Sequence, residues 1–393
     1  MMRSLHKHVF LMVSGLLFLS QACYNGDMLD IPISVPFGEA NDTLSIPFAK
    51  IVYDTTVVRT DRDLTPMVAN WEDPYRGRLK AVFHFELQPV SDEPPMWSPV
   101  DSAFLEFVPA SQFSSNKSCF NVRLYRTEQL PSVFYSNTSV QKVESRDVVM
   151  CEKDGKWRLS FPLAWAQELV DAHSTGIIKS VGEFRQNFGG LAIEVLDTNL
   201  VLEVGIGLLN SSQLTIYWSK DTMQGENNWI IPIGSRYGAQ YEYSFTNSRL
   251  EQWVQGPADS LLYVSPMGSM ILVRLPEVPD SFVILGAWIA INAKHTPETP
   301  DRLTVLGYDT ATHETFVLVE SLNGGIEVSV SRVVKGDTAQ FLIPIPLTIQ
   351  YVQKGTLRSP FVVIRHPEAG GTFSKMLIDT SNVKVYLYIE KTT

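Results

Sequence analysis

The chain has 393 residues, 45% of them apolar, and a formal charge of −10. Its Lys and Arg residues are scattered rather than gathered into a stripe, which excludes a phosphate-binding, nucleic-acid partner and peripheral attraction to anionic headgroups. A chain of this length is expected to form two domains.

Met1 to His8 carries Arg3 and Lys7 and no acid, and Val9 to Leu19 is apolar apart from Ser14 and Gly15. This reads as a secretory signal over residues 1–22. The apolar run is too short for a membrane span, which needs about 20 residues. Ser20 and Ala22 suit ordinary signal peptidase, and Cys23 at the next position suits lipoprotein processing through a thioether-linked lipid. The lipobox match is degenerate, because Ser20 stands where an aliphatic residue is usual. Cysteine arithmetic favours the lipid. The chain has three cysteines, Cys23, Cys119 and Cys151, and an odd one in an exported protein needs an explanation. Lipidating Cys23 leaves Cys119 and Cys151 as a pair. They are expected to bond in an oxidising compartment, with two buried free thiols as the alternative. Cleavage removes two basic residues and leaves 30 against 42 acids, a mature charge of −12.

Residues 23–45 read as a tether. Beyond them the dominant period is two. In "GRLKAVFHFELQ", Leu79, Ala81, Phe83, Phe85 and Leu87 alternate with more polar neighbours, the pattern of a strand with one buried face. "DSAFLEFV", "FNVRLY", "KWRLSF", "GLAIEVL", "SQLTIYW", "SMILVRL", "FVILGAWIAI", "DRLTVLGY", "PFVVIR" and "NVKVYLYIE" follow the same rule between Pro, Gly, Asn, Asp and Ser clusters. "PLAWAQELVDA" is the one clear helix, with Pro162 suited to its first turn. The order of segments repeats at an offset of about 182 residues: "WRLSFPL" falls over "AQFLIPI", and "NVRLY" over "LTVLG". "SKDTMQGENN" is polar and without strand pattern, which suits a joint. The expected architecture is all-β. Two tandem antiparallel, jelly-roll-like β-sandwiches occupy residues 46–222 and 235–393, each with one short helix, joined by residues 223–234.

Signatures of catalysis are sparse. There is no His-Glu-x-x-His, Gly-x-Ser-x-Gly or phosphate-cradling glycine loop. His84 reads as a solvated strand residue. Asp61 and Asp63 read as a turn, although paired acids also serve glycoside hydrolysis and calcium binding. Trp157, Trp218 and Trp288 lie within strands and are expected in the cores. Trp71, Trp97, Trp229 and Trp253 sit beside Pro, Asn or Gly in loop-like context. They are the candidate contacts for a sugar or a protein partner, against the blander expectation that each caps a sandwich end. No catalytic residue, metal ligand or cofactor site is assigned.

The succession "DTTVVRTDRD", "WEDPYRGRLKAVFHFEL", "DSAFLEF", "FYSNTSV", "EFRQNFGGLAIEV", "SSQLTIYW", "GSMILVRLP", "AWIAINAK" resembles a Bacteroidota outer-membrane lipoprotein family known only as a domain of unknown function (number four-two-seven-zero). The resemblance implies a lipid-anchored protein of the outer membrane, exposed at the cell surface, with no established enzymatic activity. More distantly, the ending of each unit is similar to the jelly rolls of carbohydrate-binding modules, a likeness of fold that does not transfer function. Asp followed by Ser or Thr looks like the O-glycosylation sequon of that phylum, which makes Thr43, Thr55, Ser102, Thr222, Ser260, Thr310 and Thr338 candidate acceptors; Asp-Thr is also a common turn start. The expected function is therefore non-enzymatic: an accessory or scaffold subunit of an outer-membrane β-barrel complex serving assembly, secretion or uptake. The alternatives are a surface glycan-binding lipoprotein and, on stray acids alone, a glycan hydrolase.

Overall fold

The computed structural model describes residues 43–45, 49–53, 60–61, 66–88, 99–114, 117–175, 180–206, 212–218, 228–255, 260–265, 268–318, 328–366 and 373–391. It opens with two short strands, β1 (Thr43–Ser45) and β2 (Ala49–Tyr53). A hairpin follows, β3 (Met67–Asp73) and β4 (Gly77–Leu87). Its turn ends on Gly77, at a φ of 78°, where a Cβ would stand 2.3 Å from the carbonyl oxygen of Ser244. Then come β5 (Val100–Phe107), β6 (Pro109–Ser114), β7 (Cys119–Thr127), β8 (Lys142–Lys153) and β9 (Lys156–Ser160). Asp154 and Gly155, both at positive φ, make the tight β8–β9 turn that matches strand twist. Helices α1 (Leu163–Ser174) and α2 (Val181–Phe188) precede β10 (Gly190–Val195), β11 (Leu200–Val204), β12 (Gln213–Trp218) and β13 (Asn228–Ser244).

Eight of these strands hydrogen-bond in a ring: β4, β13, β12, β5, β9, β8, β7, β10, and back to β4. The first unit is thus a closed antiparallel barrel rather than a sandwich. One edge of β4 holds β13; the other is shared, with β3 on Gly77–Ala81 and β10 on Phe83–Phe85. From β3 the sheet runs on through β11 to β6. Barrels of about eight strands have room inside for side chains and little else. Here Phe83, Phe85, Leu105, Phe107, Leu124 and Trp157 fill the interior, and Trp165, Leu169 and Phe184 of the two helices pack on the same core.

Helix α3 (Arg249–Gln255) leads to β14 (Ser260–Ser265), β15 (Ser269–Arg274), β16 (Phe282–Lys294), β17 (Arg302–Asp309) and β18 (Glu314–Phe316). Next are β19 (Val328–Ser331), β20 (Val333–Lys335), β21 (Thr338–Pro344) and α4 (Pro346–Gln353), with Pro346 in its first turn. The chain closes with β22 (Phe361–Arg365), β23 (Ser374–Asp379) and β24 (Val383–Lys391). Sheet β1-β24-β16-β21-β20 packs against sheet β18-β17-β22-β15-β2. Ile289, Ile291, Phe341 and Val385 of one meet Ile51, Ile271, Val305 and Ile364 of the other. This second unit is a sandwich.

Two boundaries differ from the expected ones. Residues 223–234 were expected to form a polar joint, but the chain is strand from Asn228, and β13 pairs with both β12 and β4. Residues 46–53 were expected in the first unit, and β1 within the tether. Instead β2 pairs with β15 and β1 with β24. The barrel is therefore nested inside a sandwich that uses both ends of the described chain. Two helices were not anticipated, α2 and α3. Among the described residues no helix is long and apolar enough to cross a membrane.

The repeat is visible in the pairing. β5 pairs with β9 and β12, as β16 pairs with β21 and β24. β7 pairs with β10 and β10 with β4, as β17 pairs with β22 and β22 with β15. β8 bridges β7 to β9, while its counterpart is broken at Arg332 into β19, on β17, and β20, on β21. β13 bridges β12 to β4, and for the second unit β1 and β2 take that place, on β24 and β15.

Ile51 is 2% exposed within the second core. Ile51→Ala is expected to cost about 2–4 kcal/mol. Hydrogen exchange should then quicken in β15 and β22 and stay unchanged in the barrel. Faster exchange in β4 and β13 instead would refute this strand assignment.

Candidate functional site

Cys23, Thr55, Thr222, Trp97 and Asp63 lie outside the described residues. Cys119 and Cys151 stand opposite each other in the β7–β8 register and are bonded. In the chain-entropy picture a loop with a sequence separation of 32 contributes about 3–4 kcal/mol. Thr43 lies in β1, and Ser260 opens β14. Ser102 and Thr338 are half-buried in β5 and at the start of β21, whereas Thr310 is exposed. Asp309 accepts the backbone N–H groups of Ala311 and Thr312 and pairs with Arg358. Its Asp-Thr thus works as a turn start.

The three described candidate tryptophans do not share a surface. The Trp71 indole donates to Asp73 at 3.0 Å and packs edge-on against Phe373. Trp229 lies in the barrel core, its ring stacked on His173 at 4.9 Å. Trp253 is on α3 against the second core. Proximity to Pro, Asn or Gly marked chain breaks next to these residues; each nevertheless falls inside a strand or helix.

Charged side chains that are buried serve packing. His84, expected in solvent, is 0% exposed. It points away from the barrel interior and is covered by Phe134, 5.1 Å ring to ring. Burial, helped by the charge of Lys142 and opposed by the Gln240 amide, pushes its imidazole down to about 4. Close by, Glu194 takes Lys80 Nζ at 2.5 Å and the Tyr125 hydroxyl at 2.6 Å. Burial raises the Glu194 pKa, but hydrogen bonds from Lys80 and Tyr125 and the charges of Lys80 and Lys142 outweigh it, so the carboxylate stays ionised. Burial first, then Glu194, pushes Tyr125 up to about 12. Between the units, Arg76 is fully buried, 2.9 Å from Asp73 and 3.6 Å above the Phe373 ring. The Phe373 N–H donates to Glu203, which ties β23's approach to β11. His366 and Asp301 pair at 3.3 Å beside Tyr263, whose hydroxyl accepts the His366 N–H. Among the described residues no three potential metal ligands cluster.

The outward face of the β24–β16–β21 sheet is different. Val385, Leu387 and Ile389 point inward with Ile289, Ile291, Phe341 and Ile343. The alternate residues form outward rows. One row runs Pro344–Trp288–Tyr386, and the next pairs Gly286 with Tyr388. Trp288 and Tyr386 are half-buried, Tyr388 is 38% exposed and Leu285, in the β16 bulge, 49%. A Cβ on Gly286 would stand 2.5 Å from Cη2 of Trp288, so the indole lies over the glycine. Leu342 and Ala290 continue the face, and Lys384, Asn292, Gln340 and Glu390 rim it. Trp288 was expected in the core. The parity signal was present: Trp288 shares a face with Asn292 and Lys294, and Tyr386 and Tyr388 with Lys384 and Glu390.

No family model matches the chain, and no curated protein matches it. Among solved structures it has a likeness to a protein of Parabacteroides distasonis taken to be secreted, at 10% identity over 86% of this chain and 99% of that one, with a TM-score of 0.22. Another is the M60 catalytic domain with the CBM51-1 and CBM51-2 domains from Clostridium perfringens ZmpB, at 8% identity over 89% of this chain and 39% of that one, with a TM-score of 0.14. Neither likeness at these scores fixes fold or function.

An imidazole held below its unfolded pKa of 6.5 binds its proton more readily in the unfolded chain, so stability falls as pH drops from there toward 4. His84 is expected to cost about 2 kcal/mol between pH 7 and 4.5. Carboxylates held low, such as Glu194, act below that window. Urea unfolding across the series should show the loss in the wild type and little of it in His84→Leu. Equal losses would mean the imidazole is not the titrating group.

Proposed function

We propose that this is a non-enzymatic binding protein of the bacterial envelope, held at the outer membrane by a lipid on Cys23, and an accessory subunit beside an outer-membrane β-barrel complex. The carrying observation is how the side chains are used. The buried charges Arg76 and Glu194 are committed to Asp73 and Lys80, and the uncharged His84 imidazole is sealed under Phe134. One outer sheet face, in the unit that the N-terminal strands complete, brings the half-buried Trp288 and Tyr386 together with the exposed Tyr388. Exposed apolar patches of this kind mark interaction surfaces.

The placement of β1 supports the tethered reading. Residues 24–42 separate Cys23 from Thr43, a span of up to about 65 Å if fully extended. Such a leash allows the two units to reach a neighbouring membrane protein. Because β1 lies on β24, the leash joins the sandwich at its outer edge, beside Tyr386.

Extraction of the native protein in mild detergent, followed by mass spectrometry, is expected to recover a membrane β-barrel protein in stoichiometric amount. Cys23→Ser should move the protein from the membrane fraction to the soluble envelope fraction. A lone lipidated monomer would sink the accessory-subunit reading, and a membrane-bound Cys23→Ser variant would sink the anchor.

A further inference from the structure

We infer that the outward face of the β24–β16–β21 sheet is a binding platform for a neutral polysaccharide chain. The inference rests on the reading of the protein as a binding protein and names the ligand class of one surface. Register sets the layout. Trp288 stands directly between Tyr386 and Pro344, and Tyr388 is across from Gly286 in the adjoining row. Neighbours are about 5 Å apart across strands and about 7 Å apart along one. Three rings therefore occupy one continuous strip of sheet.

Gly286 makes the strip flat. Any side chain there would prop up the Trp288 indole, which instead lies over the glycine. An apolar strip with an indole laid over a glycine suits the C–H faces of pyranose sugars, which are apolar, while their hydroxyls project sideways toward a polar rim. The rim supplies amides, with Gln340 donating to Asn292 at 3.0 Å. Lys384 and Glu390, of opposite sign, stand on the same strand on either side of the tyrosines. There is no single-sign field of the sort an anionic polymer needs. The strip and its rim number about ten residues, against about 20–30 on each side of a standard protein interface. A slender chain fits it better.

The first unit provides an internal comparison. The same pairing places Phe104 where Trp288 stands, Thr215 for Tyr386, Tyr217 for Tyr388, Ser102 for Gly286 and Ser160 for Pro344. There Phe104 and Tyr217 meet edge to face at 6.2 Å, and the Arg158 guanidinium sits 5.1 Å above Phe104. That face has one ring fewer and a cation over another, and it lacks the glycine over which the Trp288 indole lies.

The test is native electrophoresis of the detergent-solubilised mature protein through gels containing xyloglucan, galactomannan, laminarin, dextran or pullulan. At least one polysaccharide is expected to retard the wild type. Trp288→Ala should abolish the retardation. Gly286→Ala, which only displaces the end of an outward ring, should melt like the wild type and bind on the order of tenfold more weakly. Tyr217→Ala, at the matching place in the barrel, should run as the wild type does. No retardation by any of the five, or equal retardation of wild type and Gly286→Ala, overturns the platform. So does a photo-crosslinker at position 388 that captures a protein in native membranes, since the face would then belong to that protein. Absent sugar binding alongside a stoichiometric barrel partner would end this inference and leave the accessory-subunit reading standing.

Discussion

The fold turns on the pairing of sheet edges. An open edge presents a row of unpaired N–H and C=O groups and invites aggregation. Each repeat ends with the same two edges to cover, β12 and β4 in one, β24 and β15 in the other. In the first, β13 covers both, changing partner across an irregular stretch between Ile233 and Tyr237, the sort of bend that bulges permit. In the second, β1 and β2 arrive from the opposite end of the chain. The strand that precedes the second repeat thus completes the first, and the strands that precede the first complete the second. The sandwich core, with Ile51 inside it, cannot form until both ends of the chain are present.

This exchange explains what was legible in the sequence and what was not. Period-two patterning located most strands, and the segment after Pro162 is a helix as expected. The repeat in strand order reappears as a repeat in pairing. Which edge a strand joins is not written in its own residues, so β2 falls to the wrong unit and β13 is divided between the expected joint and the expected second unit. Barrel closure was hidden for a related reason. It depends on three residue pairs between β10 and β4 and on β8, whose "KVESRDVVMCEK" carries charges on an exposed face and lacks an apolar period. The Cys119–Cys151 bond and the Arg123–Asp147 pair both lie in the β7–β8 register that β8 supplies.

Burial was misjudged where a second layer covers a face. His84 alternates with Phe83 and Phe85, so its outward direction was legible. The loop bearing Phe134 that seals it was not. Its covering side chain also explains Gly238, where any Cβ would stand 2.4 Å from the Phe134 ring. Arg76 is similar. A guanidinium taken out of water is costly unless compensated. Asp73 and the Phe373 ring compensate it only because the second unit docks on the β3–β4 turn, where Arg249 and Leu250 also donate to the carbonyls of Pro74 and Tyr75. Removing either partner would leave a buried charge, so this joint holds the two units in one arrangement.

These constraints also decide where recognition can occur. The barrel interior is packed with Phe83, Phe85, Phe107 and Trp157, and the sandwich interior with Ile289, Phe341 and Val385. Among the described residues these side chains occupy both interiors, and the outer faces carry the half-exposed rings. Two repeats of one pairing scheme offer the same outer rows, and they have diverged at matched positions. In the barrel, Ser102, Phe104 and Thr215 build a face partly closed by Arg158. In the sandwich, Gly286, Trp288 and Tyr386 build an open one. Stability does not require the second arrangement, because Trp288 and the tyrosines lie outside the core that Ile289, Val385 and Leu387 complete. A large ring laid over a glycine on a solvent-facing strand gains little for folding. What it does provide is an apolar ring surface on the outer face of the sheet that β1 joins through β24.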